Sequence, residues 1–221
     1  MFGAVIFDFD GVIADDELLH LAGFRLALES HGISISEADY FKRYVGFNDQ
    51  DGFAAILTDN QRQADPETVW ALMGDKASIF KDLVGERVRI FPGVRELLDQ
   101  LVAGPEPVPT AIGSGALRSE IDLVLGAAGL GGYFEHVVSA DDVRFGKPNP
   151  ETFLEAGRRL GVEPGACVVI EDSTGGLEAA ARAGMKRVAV TNSYAAEELE
   201  ADLVVASLAE LGRDTLEGLF D

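Results

Sequence analysis

Short apolar runs alternate with longer segments of helical period along most of this chain, and that alternation points to a parallel sheet flanked by helices. The runs are Ala4–Phe9, Thr110–Gly113, His136–Ser139, Val168–Ile170, Arg187–Val190 and Leu203–Val205. A strand covered on both faces reads as an unbroken apolar run, whereas the segments between the later runs carry helix start and stop signals. Glu96–Val102 follows Pro92-Gly93, Leu117–Ala128 stops at Gly129, and Gly176–Ala183 stops at Gly184. For Glu151–Leu160 the expected N-cap is Asn149, with Pro150 at the first helical position and Gly161 as the stop. The fold class expected is α/β, with a Rossmann-like parallel sheet core.

One interval breaks the alternation. From about Asp15 to Arg89 the chain reads as helix after helix: Glu17–Ser30 closed by His31-Gly32, Ser36–Val45, Asp51–Leu57 and Pro66–Val84. This stretch is too long for a simple crossover, so an all-helical subdomain inserted after the first strand is expected over 15–87, with 1–14 and 88–221 forming the α/β core.

Composition narrows the partners. Against 38 Asp and Glu stand 18 Lys and Arg, a net charge of −20. Nucleic acid and anionic membrane both need a basic face, so neither is expected as a partner. One cysteine, Cys167, cannot form an internal disulfide. No apolar run reaches the ~18 residues of a membrane helix, and the N-terminus lacks the basic region of a signal peptide. A cytoplasmic monomer is the default expectation.

Four short motifs can carry chemistry. The first apolar run ends Val5-Ile6-Phe7-Asp8-Phe9-Asp10-Gly11. A strand period of two turns Asp8 and Asp10 the same way at the carboxyl edge of the sheet, where open α/β folds bind ligands. Crowded carboxylates call for a divalent cation, a nucleophile beside an acid, or both; a turn satisfied by Asp side chains is the structural alternative. In Ala111-Ile112-Gly113-Ser114-Gly115 the glycines let backbone approach an oxyanion ahead of a helix N-terminus. In Phe145-Gly146-Lys147-Pro148-Asn149-Pro150 the prolines stiffen a loop that holds Lys147 just before a helix. Val168-Val169-Ile170-Glu171-Asp172-Ser173 brings two more carboxylates to a strand end. Oxygen ligands from two strand ends suit Mg²⁺, and no paired His or Cys spacing offers a zinc site. Asp172 or Ser173 is also a natural cap for the next helix.

Taken in order, Asp8-Phe9-Asp10-Gly11-Val12, Ser114, Lys147-Pro148 and Glu171-Asp172-Ser173 resemble the four motifs of the haloacid dehalogenase superfamily. The likeness is to the phosphatases and β-phosphoglucomutase-like members whose helical cap follows the first strand, and Phe91-Pro92-Gly93 and Gly175–Met185 fit it as well. The resemblance implies a phosphotransfer core and a small phosphorylated metabolite as substrate. It implies Asp8 as the nucleophile that forms an aspartyl-phosphate, and Asp10 as general acid and then base. Ser114 and the Gly115 N–H would bind phosphoryl oxygens, and Lys147 would neutralise them and orient Asp8. Mg²⁺ would be held by Asp8, the Asp10 backbone carbonyl and Asp172, with Glu171 binding through water or supporting the site from behind. Dehalogenases of the superfamily lack the acid two residues after the nucleophile, so the presence of Asp10 favours phosphoryl transfer.

Phosphatase and mutase remain to be separated. In the mutase a basic cap loop docks the second phosphate, yet Val45-Gly46-Phe47-Asn48-Asp49-Gln50 has no Lys or Arg, and none occurs between Arg43 and Arg62. On the other side, His20, Gly46 and Lys76 fall where mutase-like members approach the substrate, though His20 also reads as an ordinary residue of the first cap helix and Lys76 as an ordinary surface lysine. Asp16 stands at a hinge position where the mutase has a hydroxyl residue. A metal-dependent phosphatase for a small phosphorylated metabolite is the first reading, and a sugar-phosphate mutase the second. A phosphoaspartate receiver switch would need only about half the length and no cap.

Overall fold

The computed structural model describes residues 1–84, 89–103 and 106–221. The expected boundary at 87–88 therefore lies outside the described residues. The chain divides into two compact units, Met1–Asp15 with Arg89–Asp221, and Asp16–Val88.

The larger unit is an α/β layer structure. Its strands are β1 (Ala4–Phe7), β2 (Thr110–Gly113), β3 (His136–Val138), β4 (Cys167–Glu171), β5 (Lys186–Val190) and β6 (Leu203–Val205). They form one sheet in the order β3-β2-β1-β4-β5-β6, and every neighbouring pair is parallel. β1, β2 and β4 are buried along their full length, which explains their unbroken apolar sequences. Ala4 and Ile6 share one face with Ala111, Cys167 and Val169, and helix residues Phe153, Ala156, Ala179 and Ala180 close over that face. The register sets Phe7 beside Ile112 and Ile170, so the chain leaves all three strands at one edge. Strand order reverses direction between β1 and β4, and this is the crevice where doubly wound sheets take ligands.

Three expected strand ends move: β3 stops at Val138 rather than Ser139, β4 runs on to Glu171 rather than Ile170, and β1 ends before Phe9. β1 stops at Phe7 rather than Phe9, because the Phe9 carbonyl turns to accept the N–H groups of Val12, Ile13 and Ala14. Asp8 still donates its N–H to the Ile170 carbonyl at 2.9 Å, but Asp10 lies beyond the ladder, and the period-two relation between them does not apply. Gly11, at φ +79°, makes the turn possible.

The smaller unit is all helical: α1 (Glu17–Leu28), α2 (Glu37–Arg43), α3 (Asp49–Asp59) and α4 (Pro66–Val84). Ser36 caps α2 by accepting the Asp39 N–H, and Asn48 caps α3 by accepting the Asp51 N–H. α3 thus starts two residues before the expected Asp51, since its polar first turn carries no apolar period. Phe24 of α1 and Phe53 of α3 meet with ring centroids 4.5 Å apart.

The larger unit also carries α5 (Val94–Val102), α6 (Arg118–Ala128), α7 (Glu151–Leu160), α8 (Thr174–Ala183) and α9 (Arg213–Glu217). Pro150 is the residue preceding α7, one position later than the expected cap, yet the Asn149 side chain still accepts the Glu151 N–H at 3.0 Å. No helix among the described residues is long and apolar enough to cross a membrane.

Candidate active site

Four of the sequence-selected residues meet at the β1/β4 edge. Asp8 follows β1, Glu171 ends β4, and Asp172 follows it; carboxylate oxygens from the three lie within 4.8 Å of one another. Lys147, from the loop before α7, places Nζ 2.7 Å from Asp8 Oδ1 and 2.7 Å from Glu171 Oε1. The same ammonium sits 4.8 Å from the ring centroid of Phe153, a core residue of α7, so apolar packing and two ion pairs fix its position.

Burial and charge act together here. Burial pushes the Asp8 carboxyl well above the ordinary carboxylate range; Glu171 and Asp172 push it further, and Lys147 opposes them. Burial disfavours the charged form of Lys147, but Asp8 and Glu171 outweigh burial and raise its pKa above the ordinary lysine value. Glu171 is fully buried, yet Lys147 and the Ser173 N–H hold its pKa below the usual glutamate value. Its Oε2 accepts from the Asp172 N–H, the Ser173 N–H and the Ser173 hydroxyl, while Oε1 accepts from Lys147.

Two glycines make room for these carboxylates. A Cβ on Gly11 would lie 1.9 Å from Asp172 Oδ2, and one on Gly176 would lie 1.6 Å from Glu171 Oε1. Ser173 is the cap of α8, accepting the Gly176 N–H at 3.1 Å, as the sequence suggested.

Ser114 and Gly115 sit on the turn from β2 to α6, at the same sheet edge. Ser114 is buried; its N–H continues the ladder to the Val138 carbonyl at 2.9 Å, and its hydroxyl accepts the Ala116 N–H at 2.9 Å. Asp10 lies in the turn after β1, and its carboxylate is not one of the three that cluster around Asp8.

His20, Gly46 and Lys76 belong to the helical unit. Lys76 is not a surface lysine: it is completely buried, and Nζ donates to both carboxylate oxygens of Asp49 at 2.6 and 2.8 Å. His20 Nδ1 lies 2.9 Å from the same Nζ, and His20 Nε2 lies 3.7 Å from Asp16 Oδ2. Gly23, one helical turn after His20, leaves the space that the Lys76 stem occupies. Gly46 adopts φ +82° in the turn between α2 and α3.

Sequence reasoning missed two polar residues after β5. Ser193 donates its hydroxyl to Asp172 Oδ2, and Asn192 Nδ2 donates to the Gly11 carbonyl at 2.7 Å. They match no motif, but a polar pair directly after a strand of a parallel sheet, at its carboxyl edge, was the available signal.

As a metal site the cluster has a coherent charge balance. Three buried carboxylates stand with one ammonium, and all the donors are oxygens. A divalent, oxygen-preferring cation fits that donor set.

Known proteins agree with the geometry. The family profile of haloacid dehalogenase-like hydrolases matches residues 5–190. A fructose-1-phosphate phosphatase of Escherichia coli K12, YqaB, is 33% identical over 192 residues, covering 86% of this chain and 96% of its own. The structure of β-phosphoglucomutase from Clostridium difficile superposes with a TM-score of 0.89 at 27% identity, covering all of this chain and 97% of that one. CbbY from Rhodobacter sphaeroides, solved as a mutant in complex with xylulose-1,5-bisphosphate, gives a TM-score of 0.88 at 25% identity, covering 98% and 99% of the two chains. With the profile spanning residues 5–190 and a relative 33% identical over 86% of the sequence, this chain belongs to the haloacid dehalogenase-like hydrolase family.

Proposed function

We propose that the protein is a Mg²⁺-dependent phosphoric monoester hydrolase that cleaves a small phosphorylated metabolite, of the sugar-phosphate class, through an aspartyl-phosphate on Asp8. The observation that carries this reading is the 2.7 Å contact between Lys147 Nζ and Asp8 Oδ1 inside a cluster of buried acids. A carboxylate so placed holds an oxygen against the ammonium that would face a phosphoryl group.

In this reading Asp8 attacks phosphorus, the P–O bond to the alcohol breaks, and Asp10 gives the leaving oxygen its proton. Asp10 then takes a proton from the water that attacks the aspartyl-phosphate, releasing inorganic phosphate and restoring both acids. The Ser114 hydroxyl and the Gly115 N–H donate to phosphoryl oxygens, and Lys147 supplies positive charge to them. Mg²⁺ would be held by Asp8, Asp172 and the Asp10 backbone carbonyl, and it supplies charge neutralisation among the carboxylates and the substrate phosphate. Glu171, already accepting from four donors, would bind it through water or act by orienting Lys147.

The stretch Val45–Gln50 has no Lys or Arg to dock a second phosphate, which supports a monophosphate substrate. The names of two relatives, one acting on fructose-1-phosphate and one bound to a ketose bisphosphate, support the sugar class. We place the activity in the cytoplasm, in keeping with a single, buried, unpaired cysteine.

A second reading, a sugar-phosphate mutase, is favoured by the full-length likeness to β-phosphoglucomutase and by the contact between His20 and Lys76. A panel of phosphorylated metabolites assayed with Mg²⁺ and with EDTA separates the two. Free phosphate formed at the rate the ester disappears, and lost with EDTA, is expected. Isomerised ester that depends on a bisphosphate primer would establish the mutase, and EDTA-insensitive hydrolysis would remove the metal assignment.

A further inference from the structure

We infer that the loop after β5 is part of the cation site: Ser193 is a positioning residue for Asp172, and Asn192 holds the turn that follows the nucleophile. This rests on the proposed metal-dependent reading. It adds residues that none of the four sequence motifs contains.

The loop is itself fixed at both ends. The Thr191 N–H donates to the Val205 carbonyl of β6 at 3.1 Å, and Tyr194 packs against the cluster of Leu177, Ala189 and Leu199. Between these anchors, Asn192 and Ser193 point polar groups back toward the strand ends. Ser193 donates to Oδ2 of Asp172, and the same oxygen is walled by the α-carbon of Gly11, where any Cβ would stand 1.9 Å away. A hydroxyl on one side and a backbone wall on the other leave the Asp172 carboxylate little freedom to rotate about χ2. The Gly11 wall is held in turn, because Asn192 Nδ2 donates to the Gly11 carbonyl at 2.7 Å.

One loop therefore constrains an acid of the Asp8–Glu171–Asp172 cluster and the backbone just after Asp10. Asp172 belongs to the set assigned to Mg²⁺, and Gly11 directly follows the Asp10 carbonyl that completes that set. A cation with a strict octahedral preference gains most from ligands already fixed in direction, and removal of a group that orients a metal-binding side chain commonly lowers affinity by about 10–100-fold.

The test is a titration of the purified protein with Mn²⁺, read as free ion by electron paramagnetic resonance, in wild type, Ser193→Ala and Ser193→Thr. Melting temperatures without metal serve as the check on folding. Ser193→Ala is expected to bind Mn²⁺ about 10-fold more weakly or worse with an unchanged metal-free melting temperature, and Ser193→Thr to recover most of the affinity. Equal or tighter binding by Ser193→Ala overturns the inference while leaving the metal assignment intact. A Ser193→Ala defect that Ser193→Thr does not recover, or that tracks a lowered metal-free melting temperature, also overturns it, because the hydroxyl is then not what matters. Wild-type protein that binds no Mn²⁺ removes the metal reading, and this inference with it.

Discussion

The ammonium of Lys147 stands 2.7 Å from the Asp8 carboxylate, and this contact opposes the two neighbouring buried acids, Glu171 and Asp172. Burial, Glu171 and Asp172 all raise the Asp8 pKa, and Lys147 lowers it. In the proposed mechanism Asp8 must be ionised to attack phosphorus, so Lys147 would help set how far toward acid pH the enzyme works. Replacing Lys147 by Met removes the lowering contribution, and the Asp8 pKa rises further. The acid limb of the pH–rate profile is expected to move to higher pH, and kcat to fall by about 10²–10³, the usual cost of losing one charge-stabilising group. An unmoved acid limb would show that Asp8 ionisation does not limit the rate.

Asp8 and Asp10 are expected to separate cleanly by mutation. Asp8→Asn abolishes turnover because the amide cannot form the acyl phosphate. Asp10→Asn keeps the backbone carbonyl assigned to the cation and loses only the proton-transfer group, so cation binding persists while the rate falls by about 10²–10⁴. Near-wild-type phosphate release by the Asp8 variant would end the nucleophile assignment, and a cation defect in Asp10→Asn would shift the metal role to the side chain.

The contrast between what the sequence disclosed and what it concealed follows from how each feature is encoded. Strands β1, β2 and β4 were legible because burial on both faces writes a continuous apolar run; Asp8 and Glu171-Asp172 stood out because their motifs end such runs, and Lys147 because Pro148 and Pro150 stiffen the loop that carries it. The true end of β1 was not, since Phe9 is as apolar as a strand residue but spends its carbonyl on a turn. Ser193 was invisible for another reason: its contact with Asp172 spans 21 residues and depends on the pairing of β5 with β4. Asp49 stood in the sequence only within a stretch without Lys or Arg, because its pairing with Lys76 spans 27 residues and depends on α3 packing against α4.

Two adjacent glycines on α8 should respond in opposite directions. A methyl at Gly175 meets nothing within 4 Å, so Gly175→Ala is expected to stabilise by about 0.4–1 kcal/mol through the unfolded chain. At Gly176 the methyl would collide with the Glu171 carboxylate, which must swing away and release Lys147. Gly176→Ala should destabilise by about 1–3 kcal/mol and lose most activity. Urea unfolding and phosphate release on the two variants check this; equal behaviour would mean that Glu171 is not held where the structure has it.

The buried pair in the helical unit makes an asymmetric prediction. Lys76 is fully buried and Asp49 nearly so, and removing one partner of such a pair takes a directly bonded counter-charge from a buried group. Asp49→Ala, which removes the carboxylate facing the ammonium between the rings of Phe24 and Phe80, is expected to cost about 3–5 kcal/mol. Lys76→Met keeps the volume, and it leaves the carboxylate at the more accessible end of the pair, so it should cost less. The double variant Asp49→Ala with Lys76→Met should be more stable than Asp49→Ala alone. Additive losses in that cycle would show that the two charges do not interact.

Acid stability should depend on a second carboxylate, remote from the proposed chemistry. Burial alone would raise the Asp142 pKa, but the Ser139 N–H, Arg159 and the Ser139 hydroxyl outweigh it and bring it from 3.8 down to about 2. Oδ2 accepts from both Ser139 donors at 2.9 and 2.8 Å, and Oδ1 accepts from Arg159 at 2.6 Å. A folded-state pKa below the unfolded value gives stability that is fully present above about pH 4 and is lost as pH falls through about 2. Water reaches this pair and screens it, so the contribution is ~1 kcal/mol rather than the full amount the shift would give in a dry site. Asp142→Asn has the same shape and can still accept from Ser139, so its difference from wild type reports the charge. Urea unfolding at a series of pH values should show Asp142→Asn less stable at neutral pH and converging on wild type between about pH 4 and 2. A difference that stays constant across that window would mean the ionised carboxylate adds nothing to the tie that Arg159 makes between α7 and the turn after β3.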